Sequence, residues 1–190
     1  GTTENVTVVG QVVYHYGKNF KGNASIDSII LEDVIDGEIY GFQVYDYPNY
    51  SGAYDRSLAA INSYLEKYPS LTFILDIHRD AVEDAQHRQY KLISLEDPNA
   101  AQLSFIMGSN HDGWQENLKL AVAVAEAIKT DYPTVMRPIT LRNSNYNQHK
   151  SLGSMLVEVG AAGNSLDEAL NSARIFADGF ARVVLATKAE

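Results

Sequence analysis

The sequence predicts an α/β domain, with a largely parallel sheet covered by helices on both sides. Strand-like runs alternate with amphipathic helical stretches along most of the chain. The runs "TFILDIH", "AQLSFIMGSN" and "SMLVEVG" are apolar on both faces, the pattern of buried parallel strands. Turn and cap residues also fall where the pattern changes, so element ends agree with element interiors.

The elements follow in order. "YDRSLAAINSYLEKY" (54–68) puts Leu58, Ile61 and Leu65 on one helical face, and Pro69 stops it. "TFILDIH" follows as a strand, and a second apolar run, 101–110, ends near Gly108. "WQENLKLAVAVAEAIKTDY" (114–132) is a helix with Leu118, Ala121, Val122, Ala125 and Ile128 inward, ended by Pro133. "RPITL" and "SMLVEVG" are short strands flanking a polar loop. Ser165 and Glu168 form an S-x-x-E capping box. It opens a long helix through Leu170, Ala173, Phe176, Phe180 and Val184. Nearer the front, "NVTVVGQVVYHY" and "EIYGFQVYDY" read as strands, with Asp36-Gly37 as a turn between strands. The stretch 24–35 fits helix or strand equally.

Composition removes several functions. A chain of 190 residues is most simply one domain with its own core. A net charge of −9 and the lack of a Lys/Arg-rich block argue against a nucleic-acid partner, since phosphates need a basic face. The absence of cysteine excludes disulfides, thiolate nucleophiles and cysteine-based zinc sites. No run of about 18 apolar residues is present to span a membrane, and no signal peptide is recognisable, so the chain reads as a mature or trimmed piece. Neither G-x-G-x-x-G nor G-x-x-x-x-G-K-[ST] occurs, which disfavours a nucleotide-binding protein.

What remains is a small set of polar residues in apolar surroundings. "FILDIHRDA" (73–81) places His78 at the end of a strand, where ligands gather in open α/β sheets. Glu158 sits among Leu156, Val157 and Val159, and an unpartnered carboxylate there costs several kcal/mol. Plainer readings exist: His78 as a satisfied core histidine, Glu158 paired with Arg142, Arg79 in an ion pair, Asp80 as a helix N-cap. A histidine at one strand end and a glutamate at another also suit metal-assisted hydrolysis. A catalytic zinc takes three protein ligands and a water, and a nearby carboxylate accepts the water's proton.

The segments "YDYPNYSGAYDRSL", "LDIHRDA", "WQENLKLA", "RPITLRNSNYNQH" and "LVEVGAAGNSLDEAL" resemble stage II sporulation protein P. That family comprises bacterial peptidoglycan hydrolases related to zinc-dependent N-acetylmuramoyl-L-alanine amidases. The resemblance runs from about residue 45 to the C-terminus, leaving 1–45 poorly matched. It implies a three-layer α/β/α fold, one Zn2+ ion and cleavage of the amide between muramic acid and L-alanine, with endopeptidase action on cross-links as well. It further implies peptidoglycan as substrate, stage II sporulation protein D as partner, and an extracytoplasmic setting reached through a membrane anchor outside this chain. By motif, His78 matches a zinc ligand and Glu158 the catalytic glutamate. Arg79, together with Arg142, Asn143, Asn147 and His149 of the polar loop, become candidate substrate contacts.

The front of the chain departs from the family pattern, which begins with a strand ending in His-Thr-His and an acidic ligand soon after. No His-Thr-His occurs here. Either Glu4 is the acidic ligand and its histidine lies upstream of residue 1, or His15 in "VVYHYG" is the ligand with Glu32 or Asp33 as the acid. With one secure ligand, the chain is expected to bind zinc weakly and to be a feeble amidase. The rival expectation is a non-catalytic amidase-like module that binds cell-wall peptide or a partner protein.

Overall fold

Alternating strands and helices take shape in the computed structural model. It describes residues 51–187 and three strand segments nearer the front: β1 (Val9–Val13), β2 (Ile29–Glu32) and β3 (Tyr40–Phe42). Then come α1 (Ala53–Lys67), β4 (Phe73–Asp80), β5 (Leu103–Gly108), α2 (Trp114–Lys129), β6 (Thr140–Arg142), β7 (Gly153–Ala161) and α3 (Leu166–Thr187). A 3-10 turn, Gln148–Lys150, lies between β6 and β7. The open stretch 24–35 thus contains a strand, β2, which pairs antiparallel with β3. The expected Asp36-Gly37 turn lies outside the described residues.

The main sheet has the order β1-β4-β7-β5-β6. Pairings β1–β4, β4–β7 and β5–β6 are parallel, whereas β5–β7 is antiparallel. The sheet is therefore mixed, mostly but not entirely parallel. A parallel return needs a crossover of about a dozen residues or more, usually helical. The link from β6 to β7 is the loop 143–152, whose only helix is the 3-10 turn, so β7 comes back antiparallel to β5.

Helices α2 and α3 pack together on one face of the sheet. Leu75 of β4, Phe105 and Met107 of β5 and Met155 and Val157 of β7 meet Val124, Ile128, Phe176 and Phe180 there. Phe73 packs edge-on against Phe180 at 5.1 Å, and Phe105 against Phe176 at 5.8 Å. Gly179 lets the two helices approach, because a Cβ there would lie 2.3 Å from Ile128 Cγ1. Two expected inward residues point out instead: Val122 is 44% and Leu170 43% exposed. Ala121, Val124, Ala125 and Ile128 form the buried stripe of α2, spaced i, i+3, i+4, i+7, and Val122 lies off that line.

Helix ends follow local chemistry. α1 stops at Lys67, two residues before Pro69, as the restriction on a pre-proline residue requires. Glu168 N–H donates to Ser165 Oγ at 3.3 Å, and Ser165 N–H donates to Glu168 Oε2 at 3.0 Å. That reciprocal pair is the expected capping box.

Candidate active site

The other face of the sheet is polar where the helix-covered face is apolar. Successive side chains of a strand alternate between faces. With Leu75 and Ile77 of β4 turned to the helices, Asp76, His78 and Asp80 fall on the opposite side. Register then assembles the site: His78 of β4 lies beside Glu158 of β7, and Glu158 lies beside Ser104 of β5. A cleft of about 230 Å³ opens over them. Its walls include Tyr54 from the start of α1, His78, Asp80 and Glu158 from the sheet, and Arg137, Arg142 and Tyr146. His78 is thus inside β4, two residues before its end, and the site sits on the sheet's face rather than beyond the strand tips.

Glu158 holds its carboxylate in an unfavourable electrostatic setting. Its Oε2 is buried and, among the described residues, has no hydrogen-bond partner. Burial pushes its pKa up to about 7, and the charges of Asp80 and Asp76 add to that, against His78 and Arg137. The cation facing it is Arg137, not the anticipated Arg142. Arg137 is itself taken by Asp80, with Nη1 donating to Oδ2 at 2.6 Å. Asp80 is therefore the last residue of β4 and the partner of Arg137, which corrects its reading as a helix N-cap.

His78 is 7% exposed and stands with Nε2 2.8 Å from Asp76 Oδ1. The distance is that of an ion pair. Burial disfavours the imidazolium, yet Asp76 and Glu158 outweigh it and raise the His78 pKa above its ordinary value. Asp76 Oδ2 accepts a long hydrogen bond from Tyr54 Oη at 3.4 Å.

The polar loop is pinned on two sides. Buried Gln148 donates to Ile106 C=O and accepts from Gly108 N–H, each at 2.9 Å. Asn147 donates to Tyr54 C=O at 2.8 Å and to Ser57 Oγ at 3.0 Å. Tyr146 and Asn147 hold left-handed backbone, φ 52° and 55°, which Asn adopts readily but which costs a bulky residue such as Tyr146 of order 1–3 kcal/mol. Tyr146 is thereby set against Tyr54, ring centroids 5.7 Å apart.

Of the expected substrate contacts, Arg142 alone lines the cleft. Arg79 donates to the carbonyls of Ala161 and Asn164, holding the turn after β7. Asn147 ties the loop to α1, Asn143 is exposed, and His149 meets Asn145 Oδ1 at 2.6 Å. Residues not anticipated from sequence are Asp76, Ser104, Arg137, Tyr54 and Tyr146. Only Asp76 carried a sequence signal, as a carboxylate two positions before His78 on the same strand face.

The donor set suits a divalent cation in part. His78 offers nitrogen, and Asp76 Oδ1 and Glu158 Oε2 are buried acceptors without hydrogen bonds among the described residues. Those residues contain no convergent group of three metal-ligating side chains. Glu4, His15 and Asp33 lie outside them, and of Glu32 only the backbone is described, at the end of β2.

The family profile described as Stage II sporulation protein P (SpoIIP) matches residues 3–181. The chain belongs to that sporulation family. The SpoIIP match takes in most of the first 45 residues, where no motif was recognised from sequence. A curated SpoIIP relative is Stage II sporulation protein P of Bacillus subtilis (strain 168), 26% identical over 140 residues. That alignment covers 71% of this chain and 34% of the relative, so it spans about a third of the relative's length. A solved structure, N-acetylmuramoyl-L-alanine amidase AmiC2 of Nostoc punctiforme, aligns with a TM-score of 0.43 and 17% identity. It covers 65% of this chain and 63% of AmiC2. Among the described residues, no helix is long and apolar enough to cross a membrane.

Proposed function

We propose that this SpoIIP chain is a peptidoglycan hydrolase domain that cleaves the amide between N-acetylmuramic acid and L-alanine. The observation that carries the reading is Glu158, a half-buried residue whose Oε2 is shut off from water and whose pKa is raised to about 7, beside a buried histidine on one cleft face. A general base works best with a pKa near the operating pH. A zinc ion held by His78 and ligands from the front of the chain would supply a carbonyl-polarising charge and a water of pKa about 7. Glu158 takes the proton of the attacking water and then returns it to the leaving amide nitrogen. Arg142 and Tyr146 at the cleft wall receive the polar substrate, and the Arg137–Asp80 pair fixes the field around Glu158.

The finer features of the reading are a three-layer α/β/α arrangement with α1 on the cleft side, some cross-link endopeptidase action, and work outside the membrane with stage II sporulation protein D. The rival is a non-catalytic amidase-like module, favoured by the lack of a three-ligand group among the described residues.

Digestion of purified peptidoglycan, with mass spectrometry of the released fragments, decides between them. Amidase action frees stem peptides with an L-alanine amino terminus, and His78→Ala should abolish both that release and bound zinc. Intact glycopeptides after prolonged digestion would leave the binding module standing.

A further inference from the structure

We infer that Arg142, with the hydroxyls of Thr140 and Tyr146, is the receptor for a free carboxylate on the peptide part of the substrate. The inference rests on the hydrolase reading above and deepens it by naming the group that this cleft wall reads. Of the arginines among the described residues, Arg142 alone has neither a hydrogen bond nor an ion pair through its side chain. Arg56, Arg79, Arg88, Arg137, Arg174 and Arg182 each have at least one. In a chain of net charge −9, the uncommitted guanidinium stands at the wall of a cleft and not on an open face.

Thr140 and Arg142 are i and i+2 on the edge strand β6, so their side chains share a face, and both line the cleft with Tyr146. Among the described residues, Thr140 Oγ1 and Tyr146 Oη also lack a hydrogen-bond partner. This wall therefore offers donors, whereas the floor offers the carboxylates of Asp80 and Glu158. The base of the Arg142 arm is fixed, because its C=O accepts from the N–H groups of Ser109 and Ser144, each at 2.8 Å. Tyr146 is held at its place on the wall in left-handed backbone, a cost commonly found at ligand sites. A guanidinium fork matches a carboxylate with two parallel hydrogen bonds.

A carboxylate bound there stays clear of Glu158. The charges that shift Glu158 are His78, Asp80, Asp76 and Arg137, and Arg142 is not among them. Glu158 lies beside Ser104 of β5, and Arg142 beside Gly108 of β5, on the strand beyond. Strand spacing and rise then set the two backbones on the order of 16 Å apart. Their side chains close part of that gap and leave a span of about two extended residues. The carboxylate is thereby placed on the second or third residue of the peptide, counted from the cleaved amide.

The test uses the complete protein that carries this chain and three synthetic N-acetylmuramoyl tripeptides with amidated C-termini. One carries glutamate at its second residue, one at its third, and the last has glutamine at both. Cleavage is followed with the wild type, and binding by calorimetry with Glu158→Gln, each with and without Arg142→Gln or Arg142→Lys. The readout is the ratio of acid to neutral peptide within one protein, so a loss of folded material cancels. The expected preference for an acid peptide is about 10–100-fold, the worth of a charge-assisted pair. Arg142→Gln should erase it, and Arg142→Lys should keep only part, because an ammonium cannot make the paired fork. Tyr146→Phe and Thr140→Val should each lower it by about 2–5-fold. Equal binding of all three peptides, or a preference that survives Arg142→Gln, overturns the assignment. Arg142-dependent binding of an acid peptide that the wild type never cleaves sustains the assignment and defeats the hydrolase reading. Cleavage of all three peptides at equal rates does the reverse.

Discussion

The two faces of the central sheet are built from the same strands and do opposite things. On the helix side, alternate residues of β4, β5 and β7 are apolar and pack against α2 and α3. On the cleft side, the intervening residues include polar Asp76, His78, Asp80, Ser104 and Glu158 beside apolar Ile106 and Leu156, and among the described residues Asp76 Oδ1 and Glu158 Oε2 are buried acceptors without hydrogen bonds. One face stores stability. The other gives some of it up to hold charged groups away from water, as functional sites commonly do.

Core truncation should show the first half of that contrast most strongly. Phe105 is fully buried and packs against Phe176, so Phe105→Ala should cost about 3–5 kcal/mol in urea or thermal unfolding. Activity per folded molecule should change little, since the side chain faces away from the cleft. A cost under about 1 kcal/mol would mean the helix face is not the stabilising one.

The second half has the opposite sign. The pKa of Glu158 rises from 4.5 to about 7 on folding, so the folded state holds that proton more tightly than the unfolded chain. Stability from this group is therefore complete below pH 4.5 and is lost as pH rises toward 7. In the metal-free protein, Glu158→Gln should be more stable than wild type above pH 7 by on the order of 2 kcal/mol. The difference should shrink as pH falls through that window. Paired unfolding curves at pH 5 and pH 8 check it, and a constant difference would show that Glu158 is not desolvated.

A smaller effect is expected at the loop. Asn147→Ala removes two hydrogen bonds to α1 and should cost about 1–2 kcal/mol, with KM rising more than kcat falls. Equal loss in both constants would place the loop in the chemistry instead of in binding.

Much of this contrast was legible in the sequence, for identifiable reasons. His78 and Glu158 stood out because a titratable residue inside an apolar strand needs a cause. Ser165 and Glu168 were legible because a capping box is local, and both of its hydrogen bonds form. Pairing direction is not local: apolar runs look alike in parallel and antiparallel neighbours, so the reversed β5–β7 pair escaped notice. Val122 and Leu170 were misplaced because helix phase depends on which apolar stripe meets the sheet. Arg137 meets Asp80 across 57 residues of chain, and Tyr54 meets Tyr146 across a longer span, which only tertiary structure brings about. Glu4, His15 and the Asp36-Gly37 turn fall outside the described residues.

The most direct test of the cleft face as a catalytic face is Glu158→Gln in the complete protein, assayed for stem-peptide release from purified peptidoglycan with zinc bound. Release should fall by about two orders of magnitude or more, while the zinc content and fold of the variant stay those of the wild type. Near-normal release by a folded, zinc-loaded Glu158→Gln protein would contradict the role of Glu158 as the general base.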